Sequence, residues 1–180
     1  MSRIDDAIKK IPRRFFVGEE YYKSFWKDVA IPIGHGVNST KPSQVKRMLE
    51  FLDPAGKVLE IGTGCGWQTA ILSELSDVVY SIEYDERLYE RALHNLKGYP
   101  GFLVRGDGFK GLPHHAPFDR IICCAAVKEI SPDLMDQLSD GGIMVAPVGD
   151  AANQKLVKIV RSGDSFDIEE LELCGFVVAQ

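Results

Sequence analysis

No apolar run in the 180-residue chain approaches the roughly 20 residues a membrane-spanning helix needs. The N-terminus is charged and amphipathic rather than signal-like, and the expected location is the cytoplasm. An excess of positive charge is also missing. Its 21 Lys and Arg are outnumbered by 26 Asp and Glu, for a net charge of -5, which argues against tight, sequence-independent binding to nucleic acid. The four cysteines (Cys65, Cys123, Cys124, Cys174) form no C-x-x-C spacing, so reduced, buried thiols are expected and no metal site. Cys123 and Cys124 lie in one apolar run and should face opposite sides of a strand. His114 and His115 have no carboxylate or cysteine spaced to join them as ligands. No Ser-His-Asp or Cys-His set is present, and no repeat, low-complexity tract or linker divides the chain, which reads as a single domain over 1–180.

Against these absences stands one dense stretch, residues 57–66. The apolar Val58, Leu59 and Ile61 run into Gly62, Gly64 and Gly66, and residues 67–75 then read as a helix. Strand, tight turn and helix in this order bring backbone close to a ligand and aim free N–H groups at it. The dinucleotide fingerprint is G-x-G-x-x-G; here the pattern is G-x-G-x-G, with the acid Glu60 two residues before the first glycine. That resembles the first motif of the S-adenosylmethionine-dependent methyltransferases. A second acid, Glu83, ends the next apolar run and can accept from both hydroxyls of a ribose, a feature NAD and S-adenosylmethionine share.

Alternation continues on both sides. Residues 3–11 read as a helix stopped by Pro12. Tyr21, Tyr22, Phe25 and Trp26 are expected to pack as an N-terminal cover over the sheet rather than serve as a substrate platform. Residues 34–42 read as a polar loop running into a helix that opens at Pro42 and buries Val45, Met48, Leu49 and Leu52. Strands are expected over 78–83, 102–104, 118–126 and 143–148, and helices from Asp85 to Lys97 and from Ser131 to the stop at Gly141-Gly142. An acid between glycines, Asp107 beside Gly108, sits at a strand end where it can accept from an adenine amine. Residues 154–161 and 166–178 read as a hairpin. The whole predicts an α/β fold, a parallel sheet with an antiparallel hairpin at one end.

Several stretches together resemble the protein-L-isoaspartate O-methyltransferase family. They are Pro32-Ile33-Gly34-His35-Gly36, Leu59-Glu60-Ile61-Gly62-Thr63-Gly64 with Gly66, Val79-Tyr80-Ser81-Ile82-Glu83, Gly106-Asp107-Gly108, Ala116-Pro117-Phe118-Asp119 and Pro147-Val148-Gly149. The resemblance covers nearly the whole chain. It implies the class I (Rossmann-like) methyltransferase fold with a mostly parallel seven-stranded sheet, residues 1–42 as cover and substrate loop, and 43–180 as the cofactor-binding core. S-adenosyl-L-methionine is the implied donor, and isoaspartyl residues of damaged proteins and peptides are the implied acceptors. Neither nucleic acid nor membrane is implied as a partner. By the same analogy Glu60, Gly62, Thr63, Gly64 and Gly66 hold the methionine part, Glu83 takes the ribose, and Asp107 with Gly108 lies at the adenine. Val37 and Asn38 reach the cofactor, Thr40 and Ser39 present the acceptor, and His35 donates to the substrate backbone. The family loop usually reads Gly-Gln-Thr-Ile-Ser-x-Pro; here it is Gly36-Val37-Asn38-Ser39-Thr40-Lys41-Pro42, and the aligned hydroxyl is Thr40.

Other readings stay open on the residues alone. A same-fold carboxyl methyltransferase could act on another peptide or a small molecule, and a non-catalytic module could bind S-adenosylmethionine for a partner protein. A nucleotide-dependent oxidoreductase fits the glycine spacing poorly.

Overall fold

The computed structural model describes residues 2–150 and 152–176. A seven-stranded sheet forms its centre. In chain order the strands are β3 (Lys57–Ile61), β4 (Val78–Glu83), β5 (Phe102–Arg105), β6 (Phe118–Cys123), β7 (Leu138–Gly149), β8 (Gln154–Ser162) and β9 (Ser165–Cys174). Across the sheet they lie in the order β5-β4-β3-β6-β7-β8-β9. The first five of these strands run parallel, and β8 and β9 return antiparallel. The chain starts in the middle at β3, builds outward through β4 and β5, then crosses back to β6. That reversal leaves a crevice at the carboxyl ends of β3 and β6, where open α/β sheets bind ligands.

Apolar content decides position. Val58 and Leu59 of β3 point to opposite faces and both are fully buried, as a central parallel strand requires. One face is covered by α1 (Arg3–Lys10), α2 (Pro42–Leu52), α3 (Trp67–Leu75) and α4 (Glu86–Asn95), which bring Ala7, Met48, Leu49, Leu52, Ile71 and Leu88 into one apolar cluster. The other face packs Phe118, Ile121, Leu138 and Met144 against α5 (Pro132–Met135), through Leu134. Cys123 belongs to this second cluster and Cys124 packs on the first, so the neighbouring thiols do face opposite sides.

Five expectations need correction. The stretch 34–42 is not all loop: β1 (Ile31–Gly34) and β2 (Val37–Ser39) form a separate antiparallel hairpin turning at His35, whose φ is 54°. Strand β6 ends at Cys123 rather than at residue 126. The helix after Ser131 is a single turn, and Leu138, inside the helix expected up to Gly141-Gly142, instead pairs with Phe118 as the first residue of β7. Gly141-Gly142, taken as a helix stop, bends β7: Gly141 has φ 73° and a Cβ on Gly142 would lie 2.7 Å from the Ser139 carbonyl oxygen. The aromatic cluster does not cover the sheet. Trp26 is 63% exposed and Tyr22 45% exposed, both on the outer surface. The last two residues of the strand expected over 166–178 lie outside the described residues.

The cluster under α2 and α3 should dominate stability. Leu49→Ala, at a fully buried position, is expected to cost about 2–5 kcal/mol in urea denaturation. Leu93→Ala, on the half-exposed side of α4, should stay within about 0.5 kcal/mol; equal losses would mean the packing layer is misassigned.

Candidate active site

The bend after β3 uses its glycines for backbone reasons. Gly62, Gly64 and Gly66 have φ of 90°, 58° and 86°, the left-handed region where a side chain is strained. Gly66 stands immediately before α3, and a Cβ there would come within 3.0 Å of Leu96. The bend is tied to the next strand: Gly62 N–H and Thr63 N–H both donate to the Ile82 carbonyl, at 2.8 and 3.3 Å. Gly64 N–H donates to Glu83 Oε2 at 2.7 Å. The other oxygen of Glu83 accepts from Asp85 N–H at 3.0 Å, where the chain enters α4. Each carboxylate oxygen thus takes one backbone bond and keeps a lone pair for a second donor, which suits a vicinal diol.

Asp107 and Gly108 follow at the end of β5, next to β4 in the sheet. Asp107 is exposed; its Oδ1 accepts from Phe109 N–H at 3.0 Å. Gly108 has no room for a side chain, since a Cβ would lie 2.3 Å from Ile61 Cγ2. An open crevice lined by Tyr84, Asp85, Glu86, Arg105, Gly106 and Asp107 runs outward from Glu83. Glycine bend, Glu83 and Asp107 therefore lie along one edge of three neighbouring strands, matching an extended ligand with a polar end, a diol and a flat base.

Glu60 and Thr63, expected against that ligand, turn inward instead. Glu60 is 0% exposed. Its carboxylate accepts from Thr69 Oγ1 (2.5 Å), Ser81 Oγ (2.6 Å) and Gln68 Nε2 (3.2 Å). Ser81 gives its proton to Glu60, so Thr63 Oγ1 donates to Ser81 Oγ, 2.6 Å away. The acid braces the underside of the bend and the first turn of α3. Its upper surface is left to backbone.

The hairpin β1–β2 packs over the bend. Ile33 Cδ1 would meet a Cβ on Gly64 at 3.2 Å. Ser39, one of two candidate hydroxyls, is buried, and Arg13 donates to it through Nε (3.2 Å) and Nη2 (3.1 Å). Thr40 is half-buried, and its hydroxyl has no partner among the described residues. Val37 packs on the core and Asn38 is exposed. His35 projects from the tip, its Nδ1 3.4 Å from Arg87 Nη1. Three residues that the sequence did not single out fasten this assembly. Arg13 is buried against Ser39; Arg91 donates to the carbonyls of Ile33 (2.8 Å) and Phe16 (3.2 Å); Asn95 donates to the carbonyl of Cys65 at 2.9 Å. Arg13 stands beside Arg14 in the sequence, and no spacing rule says which of the two is buried.

Comparison with known proteins identifies the family. A family model described as protein-L-isoaspartate (D-aspartate) O-methyltransferase matches residues 1–180. The chain belongs to that family. A protein-L-isoaspartate O-methyltransferase of Pseudoalteromonas translucida is 43% identical over 171 residues, covering 92% of this chain and 80% of the relative. A solved protein-L-isoaspartate O-methyltransferase superposes over 100% of this chain with a TM-score of 0.91 at 25% identity, and the chain spans 62% of it. A Plasmodium falciparum protein described as belonging to the same class, solved in complex with S-adenosyl-L-homocysteine, superposes with a TM-score of 0.87 at 19% identity, over 100% of this chain and 91% of its own. The fold is the class I methyltransferase fold.

In this member of the family, burial sets the chemistry beneath the bend. It pushes the thiol pKa of Cys123 up to about 12 and raises those of Cys65 and Cys124, so these thiols stay protonated. Burial also drives Glu60 from 4.5 to about 7, outweighing the hydrogen bonds from Ser81, Thr69 and Gln68 that favour the anion. The folded protein then holds a proton that the unfolded chain has released. This contribution is full below the unfolded value and lost as pH rises through 7. Urea denaturation of the wild type and Glu60→Gln should therefore diverge: between pH 5 and pH 8 the wild type is expected to lose roughly 2–3 kcal/mol relative to the variant. Parallel pH dependences would contradict a buried, titrating Glu60.

Proposed function

We propose that the chain transfers a methyl group from S-adenosyl-L-methionine to the carboxylate of isoaspartyl residues in damaged proteins and peptides. One observation supports the reading most: Gly64 N–H donates to Glu83 Oε2, joining the glycine bend and the carboxylate at adjacent strand ends, and the hairpin that leads to Thr40 packs on the same bend through Ile33. When bound, S-adenosylmethionine supplies a methyl group on a positively charged sulfur, and a carboxylate acceptor is already ionised at pH 7. No general base is needed, which fits a site without one.

The residues then divide the work. Backbone of Gly62, Thr63, Gly64 and Gly66 lies along the methionine end, Glu83 accepts from the ribose hydroxyls, and Asp107 with Gly108 meets the adenine. Val37 and Asn38 border the cofactor from the hairpin, and Glu60 acts from beneath by holding the bend. Thr40 donates to one oxygen of the acceptor carboxylate and leaves the other free to attack. Ser39 supports it from inside, and His35 at the hairpin tip meets the substrate backbone. Holding reactants in line can supply on the order of 7–11 kcal/mol at best. The setting is assigned to the cytoplasm; among the described residues no helix is long and apolar enough to cross a membrane.

The departure of Val37-Asn38-Ser39-Thr40 from the usual family loop favours one second reading, the same reaction on another carboxyl acceptor. A radiolabelled methyl assay on an isoaspartyl peptide beside its matched aspartyl peptide separates them. Transfer to the isoaspartyl peptide alone is expected, and transfer to neither would discard repair. Within an active enzyme, Thr40→Val should lower the rate about 10–100-fold, the worth of a hydrogen bond to a charged group, with cofactor affinity unchanged. Glu83→Gln should weaken S-adenosylmethionine binding about tenfold or more by isothermal titration, a loss of about 1.4 kcal/mol, where Asp77→Asn leaves it unaltered; equal effects would remove Glu83 from the ribose.

A further inference from the structure

We infer that Arg13 is a positioning residue for methyl transfer: its buried guanidinium fixes the strand end that carries Thr40 against the first turn after the glycine bend. This rests on the proposed role of Thr40. Arg13 is 3% exposed. Nη1 donates to the Val29 carbonyl at 2.8 Å and Nη2 to the Ser39 carbonyl at 2.8 Å, while Nε and Nη2 both reach the Ser39 hydroxyl. Its central carbon lies 5.4 Å from the ring of Trp67, the first residue of α3. Among the described residues no carboxylate forms an ion pair with it.

A cation buried without a contact ion pair is costly, and Asp28 acts on Arg13 only from beyond contact distance, so the guanidinium is held chiefly by the neutral acceptors it bonds. What it holds is the join between three segments: the stretch ending at Val29, the strand ending at Ser39 and the helix beginning at Trp67. Thr40 follows directly. Three residues further on, Ser43 N–H donates to Asp28 Oδ1 at 2.7 Å, near the start of α2. The segment bearing the free hydroxyl is therefore clamped on both sides, by Arg13 before it and by Asp28 after it. A planar guanidinium spreads its donors over a rigid fork and so reaches a carbonyl and a hydroxyl of one residue together with a second carbonyl on another segment, where a lysine's three donors share one atom. A lysine would keep the charge and lose the fork.

A bland staple for the N-terminal segment would lower stability and move every kinetic parameter together. Positioning predicts a split, which a double-mutant cycle reads. With folding checked by circular dichroism, single-turnover methyl transfer to the isoaspartyl peptide is measured for wild type, Arg13→Lys, Thr40→Val and the double variant, with S-adenosylhomocysteine affinity by titration calorimetry. Arg13→Lys is expected to slow transfer about tenfold or more, within what a displacement near 1 Å can cost, and to leave cofactor affinity within about threefold. In the Thr40→Val background the same change should slow transfer less than about threefold, because the two act through one hydroxyl. The same loss in both backgrounds, an unaltered rate, or a matching loss of cofactor affinity would overturn it. If Arg13→Lys does not fold, Ser39→Ala replaces it in the same cycle with the same criteria. A wild type inactive on the peptide, or an unaltered Thr40→Val, condemns the functional reading instead.

Discussion

The site depends on one hydrogen bond, from Gly64 N–H to the carboxylate of Glu83. It joins the loop after β3 to the end of β4, two strands that run parallel and in register from Lys57 and Val78 onward. Parallel neighbours end on the same side of the sheet, so their loops emerge together and need a partner for their free backbone groups. Glycine supplies the dihedrals that let the loop fold back, and Glu83 supplies the acceptor. The same carboxylate receives Asp85 N–H at the start of α4, so loop, strand and helix meet on one side chain.

Beneath that bond lies a second carboxylate, buried like Glu83 but deeper. Glu60 is enclosed by Thr69, Ser81 and Gln68 and supports the bend from inside, whereas Glu83 keeps lone pairs for a ligand. Above it packs the N-terminal hairpin, held by Arg91 from α4 and Arg13 from the segment after α1. A charge-neutralising transfer asks for little chemistry from the protein and a great deal of alignment. The structure offers backbone, the buried guanidinium of Arg13 and, at Thr40, a hydroxyl without a partner among the described residues.

Much of this was legible in the sequence because glycine and acids punctuate it. The limits of β3, α3 and β4 follow from Gly62, Gly66 and Glu83, and the family resemblance was carried by short motifs whose order is hard to imitate. What the sequence hid is equally physical. Glu60 and Glu83 are both acids beside the same bend, and the register Glu60↔Ser81 puts them on one face of the sheet; they differ in depth, Glu60 lying within β3 and Glu83 at the carboxyl end of β4. Ser39 and Thr40 are adjacent hydroxyls; β2 ends between them, and burial beside Arg13 removes the first. Gly141-Gly142 has the composition of a helix stop and serves as a bend in β7, because Leu138 gains more by pairing beside the buried Phe118 than by closing one more helical turn. The aromatic residues around Trp26 were expected as a cover over the sheet; Trp26 and Tyr22 are exposed instead, with Phe25 edge-to-face on Trp26 and beneath Arg14.

The most direct measurement is a crystal structure of the protein with S-adenosyl-L-homocysteine. The account predicts both ribose hydroxyls within hydrogen-bonding distance of Glu83, the homocysteine end along residues 62–66, and the sulfur facing the Thr40 hydroxyl. A ligand bound away from Glu83, or a sulfur turned from Thr40, would contradict it.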